Sequence, residues 1–171
     1  MGKRSTFEKR PRGMYLTPPE ALPPLLPFLR PRVTFYEPCA ADGMLARMLE
    51  DHGHFCTGRS DIVPLSTDVY QQDARKIEFT LAECFITNPP WDAGHMLPIL
   101  EHLMLLKPVW FLLYSDWLFT RQASPFMPHA THIVAVGRLK WIPGSPHTGK
   151  DNACWIRFDR DHNSGANFYG R

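Results

Sequence analysis

Three observations predict that the chain folds as an α/β domain on an open sheet. Apolar segments of strand length alternate with segments of helical periodicity along most of the chain. The first of these strands empties into a turn of small residues that leads directly into a helix. The polar residues best suited to chemistry all fall at predicted strand ends, where open α/β sheets hold their ligands.

Thr17-Pro18-Pro19-Glu20 has the form of a helix start: Thr17 caps, Pro18 has its φ preset, and Glu20 completes a T-x-x-E capping box. Pro23 and Pro24 then limit that helix or force a second turn. Val33–Tyr36 reads as a short buried strand running into Glu37–Gly43. Met44, Leu45, Met48 and Leu49 then recur at helical spacing as far as Gly53. Phe55–Ile62 reads as a second strand with Asp61 at its end, and a weakly patterned stretch from Leu65 to Ile77 allows a third strand ending near Asp73. Cys84-Phe85-Ile86-Thr87 is a clearer strand that stops at Asn88-Pro89-Pro90-Trp91. A helix is expected from about His95 to Leu106, with Met96, Ile99, Leu100 and Leu103 on one face. Val109–Tyr114, nearly all apolar, suits the centre of a parallel sheet. A polar, proline-punctuated segment follows over Phe119–His129. Ile133–Val136 and Ala153–Phe158 read as two further strands around a long loop, Lys140–Asn152. The boundaries that follow are a basic arm over 1–13, a domain over 14–160 and a tail over 161–171 that lacks a core pattern.

At 171 residues, with 44% hydrophobic and 21% charged, the chain has the composition of an ordinary globular protein with one sizeable core. The net charge of +2 does not by itself announce a nucleic-acid binder. Lys3, Arg4, Lys9, Arg10 and Arg12, however, oppose only Glu8 in the first dozen residues; the arm is either a solvated terminus or a contact for phosphates. The four cysteines form no C-x-x-C pair, which fits reduced thiols in a cytoplasmic protein better than a disulfide framework. The apolar runs Leu97–Leu106 and Val109–Tyr114 are too short to span a bilayer, and no signal peptide is recognisable. His52, His54 and Cys56 straddle a helix end and a strand start with poor ligand spacing, so no metal site is expected.

The small-residue turn Glu37-Pro38-Cys39-Ala40-Ala41-Asp42-Gly43 lets backbone approach a ligand closely and ends on a helix N-terminus with free N–H groups. Asp61 lies 18 positions beyond Gly43, where an acid can hydrogen-bond two ribose hydroxyls. Asp73 stands where a carboxylate can accept from an adenine amine. Each of these, alone, is equally an ordinary turn or a solvated loop acid; their order and spacing give them weight together. Asn88-Pro89-Pro90-Trp91 is more specific. Consecutive prolines hold an extended backbone and donate no hydrogen bonds, so the Asn88 side-chain oxygen and the Pro89 carbonyl can serve as paired acceptors for one amino group. Trp91 adds a flat face for a π-system. Lys140, His147 and Lys150 around Trp141 combine basic and aromatic character in the last long loop, which is otherwise a solvated hairpin loop.

From about Tyr15 to Phe158 the chain resembles the class I S-adenosylmethionine-dependent methyltransferases, and within them the amino-methylating group marked by [DNS]-P-P-[YFW]. It is similar to small phage- or mobile-element-type DNA N6-adenine methyltransferases. The resemblance implies a Rossmann-like, mostly parallel, seven-stranded sheet with a C-terminal antiparallel hairpin, and S-adenosylmethionine as cofactor. It assigns the cofactor to Tyr15, Thr17, Glu37, Pro38, Cys39, Ala41, Gly43, Asp61, Asp73 and Asn88. It assigns catalysis to Asn88, Pro89, Pro90 and Trp91, with nucleic acid, DNA first, as partner. Ala41 departs from the pattern: it occupies the first glycine position of the cofactor loop, where a methyl group weakens cofactor binding or shifts the turn. The chain also leaves no room for a separate target-recognition domain. RNA base amines, protein glutamine amides, and a degenerate fold acting only as a binding module are the alternatives.

Overall fold

The structure, a computed structural model, describes residues 15–171, so the basic arm expected over 1–13 lies outside the described residues. Eight strands form one sheet: β1 (Thr34–Glu37), β2 (Phe55–Asp61), β3 (Tyr70–Gln71), β4 (Cys84–Thr87), β5 (Val109–Tyr114), β6 (Ala130–Arg138), β7 (Asn152–Phe158) and β8 (Asn167–Tyr169). Their order across the sheet is β3-β2-β1-β4-β5-β7-β6-β8. The first five run parallel. β7 then inserts antiparallel between β5 and β6, which gives the C-terminal antiparallel pair. The chain winds outward from β1 to β3 and crosses back to β4, so the order reverses between β1 and β4, the place where open sheets form a ligand crevice.

Side chains alternate across a strand, and here the alternation divides the core in two. Val109, Phe111 and Leu113 of β5 join Phe85, Ile156 and Phe158 under α2 (Ala93–Leu106). Trp110 and Leu112 join Phe35, Ile86 and Trp155 under α1 (Met44–Asp51) and the segment carrying Ala21, Leu22 and Leu25. Burial of β4 and β5 on both faces is why they read as continuous apolar runs.

Three expectations need correction. The helix at Thr17 is only a 3-10 turn, Pro19–Ala21, entered from Pro18 with no side-chain cap. Pro23 and Pro24 forbid propagation, and Glu20, rather than closing a box on Thr17, accepts from the Lys140 N–H at 3.3 Å. The sheet has eight strands rather than seven, because part of the tail forms β8 and pairs parallel with β6. Its signal was weak because Phe168 stays 68% exposed and only Tyr169 packs, against Phe28 and His132. Finally, α2 starts two residues before His95, since Asp92 caps it by accepting the His95 N–H.

The N-terminal segment is fastened to the sheet by Trp155, fully buried on β7, whose Nε1 donates to the Ala21 carbonyl at 2.8 Å. Trp155→Phe keeps most of the apolar volume but leaves that buried carbonyl unpaired. Urea unfolding should show a loss of about 1–3 kcal/mol, and an unchanged midpoint would mean the bond contributes nothing.

Candidate functional site

Two adjoining clefts open at the carboxyl ends of the parallel strands, and Tyr15, Asn88 and Pro89 line both. The first is open to solvent and is walled by the β1 turn, the end of β2, the segment after β3 and the end of β4.

The turn after β1 is held from several sides. Ala41 adopts a left-handed conformation, φ +47°, and Gly43 follows at φ +77° as the N-cap of α1. The Ala41 N–H donates to Asp61 Oδ2 at 2.9 Å, and Asp61 Oδ1 accepts from the Val63 N–H at 2.8 Å. A left-handed L-residue costs roughly 1–2 kcal/mol, while a hydrogen bond to a charged group contributes about 1.5–3 kcal/mol. The bond therefore offsets the strain, and the Ala41 methyl does not unmake the turn. Each Asp61 oxygen keeps a second lone pair. Beyond the turn, Arg59 bridges Glu50 and Asp68, and Arg47 reaches both Asp68 and the Asp42 carbonyl.

Of the residues expected to hold a cofactor, Tyr15, Pro38, Cys39, Ala41, Asp61, Asp73 and Asn88 line this cleft. Thr17 and Glu37 lie behind it, in a smaller space under the turn. Gly43 lines neither and acts through the backbone. Asp73 caps the Ala74–Lys76 turn and is gripped by Arg75, whose guanidinium holds the carboxyl below its usual range. Burial pushes the Cys39 thiol far up, against formation of its thiolate. Ile62, Arg75, His95 and Ile99 complete the wall, and nothing in their spacing had marked them.

The second cleft is aromatic. Trp91 donates its Nε1 to the Leu112 carbonyl at 2.8 Å, which fixes the ring. Trp141 meets Trp91 edge-on, with centroids 4.9 Å apart; Tyr114 lies 5.6 Å from Trp91, and Tyr15 6.2 Å from Trp141. The loop after β6 folds onto this wall through the Gly149 N–H, which donates to Leu139 O at 2.7 Å. A Cβ on Gly149 would stand 2.8 Å from the Trp141 ring, so only glycine permits that approach. Lys150 lines the cleft with Asp92 and Asp151 at its rim. Lys140 lines a separate outer cleft beside Glu20, and His147 lines neither of the two clefts; its N–H bonds Ser145 Oγ. Tyr114 was missed, although its place at the end of a well-marked strand could have revealed it.

At the junction, Asn88 Nδ2 donates to the Tyr15 carbonyl at 3.1 Å. That bond turns the amide so that its acceptor, Oδ1, is left over, and among the described residues nothing donates to it. Also among the described residues, no helix is long and apolar enough to cross a membrane.

No protein-family model and no curated protein match this sequence. Solved structures match in three dimensions. A dimethyladenosine transferase from Plasmodium falciparum aligns with a TM-score of 0.56 at 11% identity, over 85% of this chain and 62% of its own. A candidate RNA methyltransferase from Pyrococcus horikoshii gives 0.56 at 15%, over 88% and 86%. A candidate class I S-adenosylmethionine-dependent methyltransferase from Listeria monocytogenes gives 0.55 at 11%, over 82% and 58%. The fold is that of the class I methyltransferases. At these identities the likeness is one of fold, and the chain spans about three fifths of the length of the Plasmodium and Listeria proteins. In this methyltransferase fold the reversal between β1 and β4 is what brings the small-residue turn beside Asn88.

Glu37 yields a prediction of its own. It is 2% exposed and accepts the Ala46 N–H at 2.9 Å, and burial raises its carboxyl well above the ordinary 4.5. A carboxyl raised on folding adds stability that is full below its unfolded value and lost as pH climbs through the folded one. Wild-type stability should therefore fall from about pH 5 upward, by at most about 1.4 kcal/mol per pH unit. Glu37→Gln keeps an acceptor for Ala46 and should remove that slope, becoming the more stable protein at pH 8 in urea titrations. Parallel pH profiles for the two proteins would show that Glu37 is not the group responsible.

Proposed function

We propose that this protein is an S-adenosylmethionine-dependent amino-methyltransferase whose target is an exocyclic amine of a nucleobase, adenine N6 in DNA before others. The observation that carries the reading is the junction: the cleft bearing the β1 turn and Asp61 and an aromatic cleft share Asn88 and Pro89, and the Asn88 acceptor there is unspent.

The residues of the first cleft fit the cofactor. Asp61 has two lone pairs left for ribose hydroxyls, the β1 turn allows close backbone approach, and Tyr15, Pro38 and Asn88 border the remaining length. When bound, S-adenosylmethionine supplies a methyl group on a positively charged sulfur. The chain's own part is to orient the acceptor nitrogen. Asn88 Oδ1 and the Pro89 carbonyl take the two hydrogens of the amine, so that its lone pair is turned toward the first cleft. As positive charge grows on that nitrogen, the same two dipoles stabilise it without reorganising. Trp91, Tyr114 and Trp141 offer rigid π-faces for the ring that carries the amine. With Tyr15 beside Trp141, four rings suit a flat base better than the flexible side chain of a protein glutamine. A base within a duplex must leave its stack to reach them.

Methyl transfer from labelled cofactor to separate DNA, RNA and protein pools tests the substrate class. Label in the protein pool alone would replace the nucleobase reading with the amide one. Asp61→Ala should weaken cofactor binding by at least about tenfold in calorimetry, given about 1.5–3 kcal/mol per charged hydrogen bond. Asn88→Ala should lower turnover about 10²–10³-fold with a much smaller effect on cofactor affinity. Full turnover in that variant would sink the mechanism.

A further inference from the structure

Asp73, the residue expected to accept from the cofactor's adenine amine, is largely committed to its neighbour. Its Oδ1 receives the Arg75 N–H at 2.9 Å, its Oδ2 receives Arg75 Nη2 at 2.6 Å, and the single Nε hydrogen is shared between them at 2.9 and 3.1 Å. An ionised carboxylate offers about four lone-pair sites, and these three hydrogens take up most of them, all from a cation two residues away. A hydrogen-bonding group on a ligand in this cleft therefore finds a freer partner elsewhere.

His95 has the opposite character. It belongs to the wall of the first cleft and not of the second. Its Nδ1 lies 2.6 Å from Asp92 Oδ1. A carboxylate only accepts, so the hydrogen sits on Nδ1, and the uncharged ring carries its lone pair on Nε2. Among the described residues, Nε2 has no hydrogen bond. Asp92 also caps α2 through the His95 N–H, so ring and backbone are held by one side chain. The position along α2 is informative. Ile99 and His102 follow His95 at one and two turns, and His102 Nε2 contacts the Ile77 carbonyl at 2.8 Å. This face of α2 therefore looks onto the segment that carries Asp73, Ala74 and Arg75. Ile62, Ala74 and Ile99, all in the first cleft alone, supply apolar walls for a flat ring.

We propose that His95, oriented by Asp92, takes the place of Asp73 as the acceptor for the adenine amine of the bound cofactor, a proposal that rests on the cofactor reading above. Asp92 is the positioning residue: its grip on Nδ1 prevents the ring from changing tautomer and turning donor.

The test compares S-adenosylhomocysteine with S-inosylhomocysteine, in which an acceptor oxygen replaces the amine, by calorimetry at pH 8 on the full chain. Sites built around a hydrogen bond reject an analogue lacking it, so the wild type should prefer the adenine form by about tenfold or more. His95→Ala should reduce that preference to about threefold or less. Asp92→Ala should shrink it too, because the freed ring can change tautomer and donate to the oxygen, while affinity for S-adenosylhomocysteine falls less than in His95→Ala. Asp73→Asn should keep the preference, whatever it does to affinity. Circular dichroism establishes that each variant is folded; the Asp92 variant provides the test if the His95 variant is not. A preference that survives both His95→Ala and Asp92→Ala, or that collapses in Asp73→Asn, overturns the assignment, as does a wild type with no preference. If neither compound binds the wild type, the cofactor reading itself fails, and this inference falls with it.

Discussion

The carboxylate of Asp61 accepts one backbone N–H from the turn after β1 and one from the loop after β2, and the rest of the site is arranged around that double attachment. The turn is left-handed at a residue with a side chain, a conformation that would relax without the bond to Ala41. With it in place, Ala40 N–H bonds Ser60 O and Leu65 N–H bonds Ala41 O, so the two strand ends are stitched into one surface. α1 starts from that surface, and Glu37 lies under it against the first turn of the same helix. Asp61 thus has a structural task as well as a ligand-facing one, each using part of the same pair of oxygens.

The second wall of the site is assembled differently. Prolines 89 and 90 hold the chain open after β4, and Trp91 is anchored by its indole N–H to the neighbouring strand rather than by the loop it belongs to. Trp141 arrives from a hairpin loop fifty residues later and is admitted only because Gly149 has no side chain. Tyr15 closes the junction from near the N-terminus. The aromatic cleft therefore depends on side chains from four separated stretches, with Trp91 held by a hydrogen bond and Trp141 by a steric fit.

The parts legible in the sequence are those governed by local rules. β4 and β5 matched residue for residue, since full burial leaves an unbroken apolar run; Asn88–Trp91 stood out because two prolines and an aromatic at a strand end have few structural uses. The α/β class followed from the alternation of strand-length and helical segments, and the antiparallel C-terminal pair from the resemblance those residues carried. Tertiary partners were not legible. Nothing near Asp73 announces that Arg75 will close upon it, nor does spacing separate Lys150, which lines the aromatic cleft, from Lys140 and His147, which do not. The capping box did not form because Pro23 and Pro24 stop the chain after a single turn and the Glu20 carboxylate is drawn to the Lys140 N–H instead. β8 was hidden because an edge strand that buries almost nothing leaves almost no pattern.

The insertion of β7 between β5 and β6 has a consequence for biosynthesis. Residues 152–158 lie between β5 and β6 in space but follow both of them along the chain. Until they leave the ribosome, β5 presents an unpaired apolar edge, and β6 has no antiparallel neighbour to hold it. Pairing of this kind is non-local and slow compared with helix formation, and open edges invite association between chains. The hazard runs from the emergence of β5 to that of β7, and one strand ends it by pairing with both neighbours.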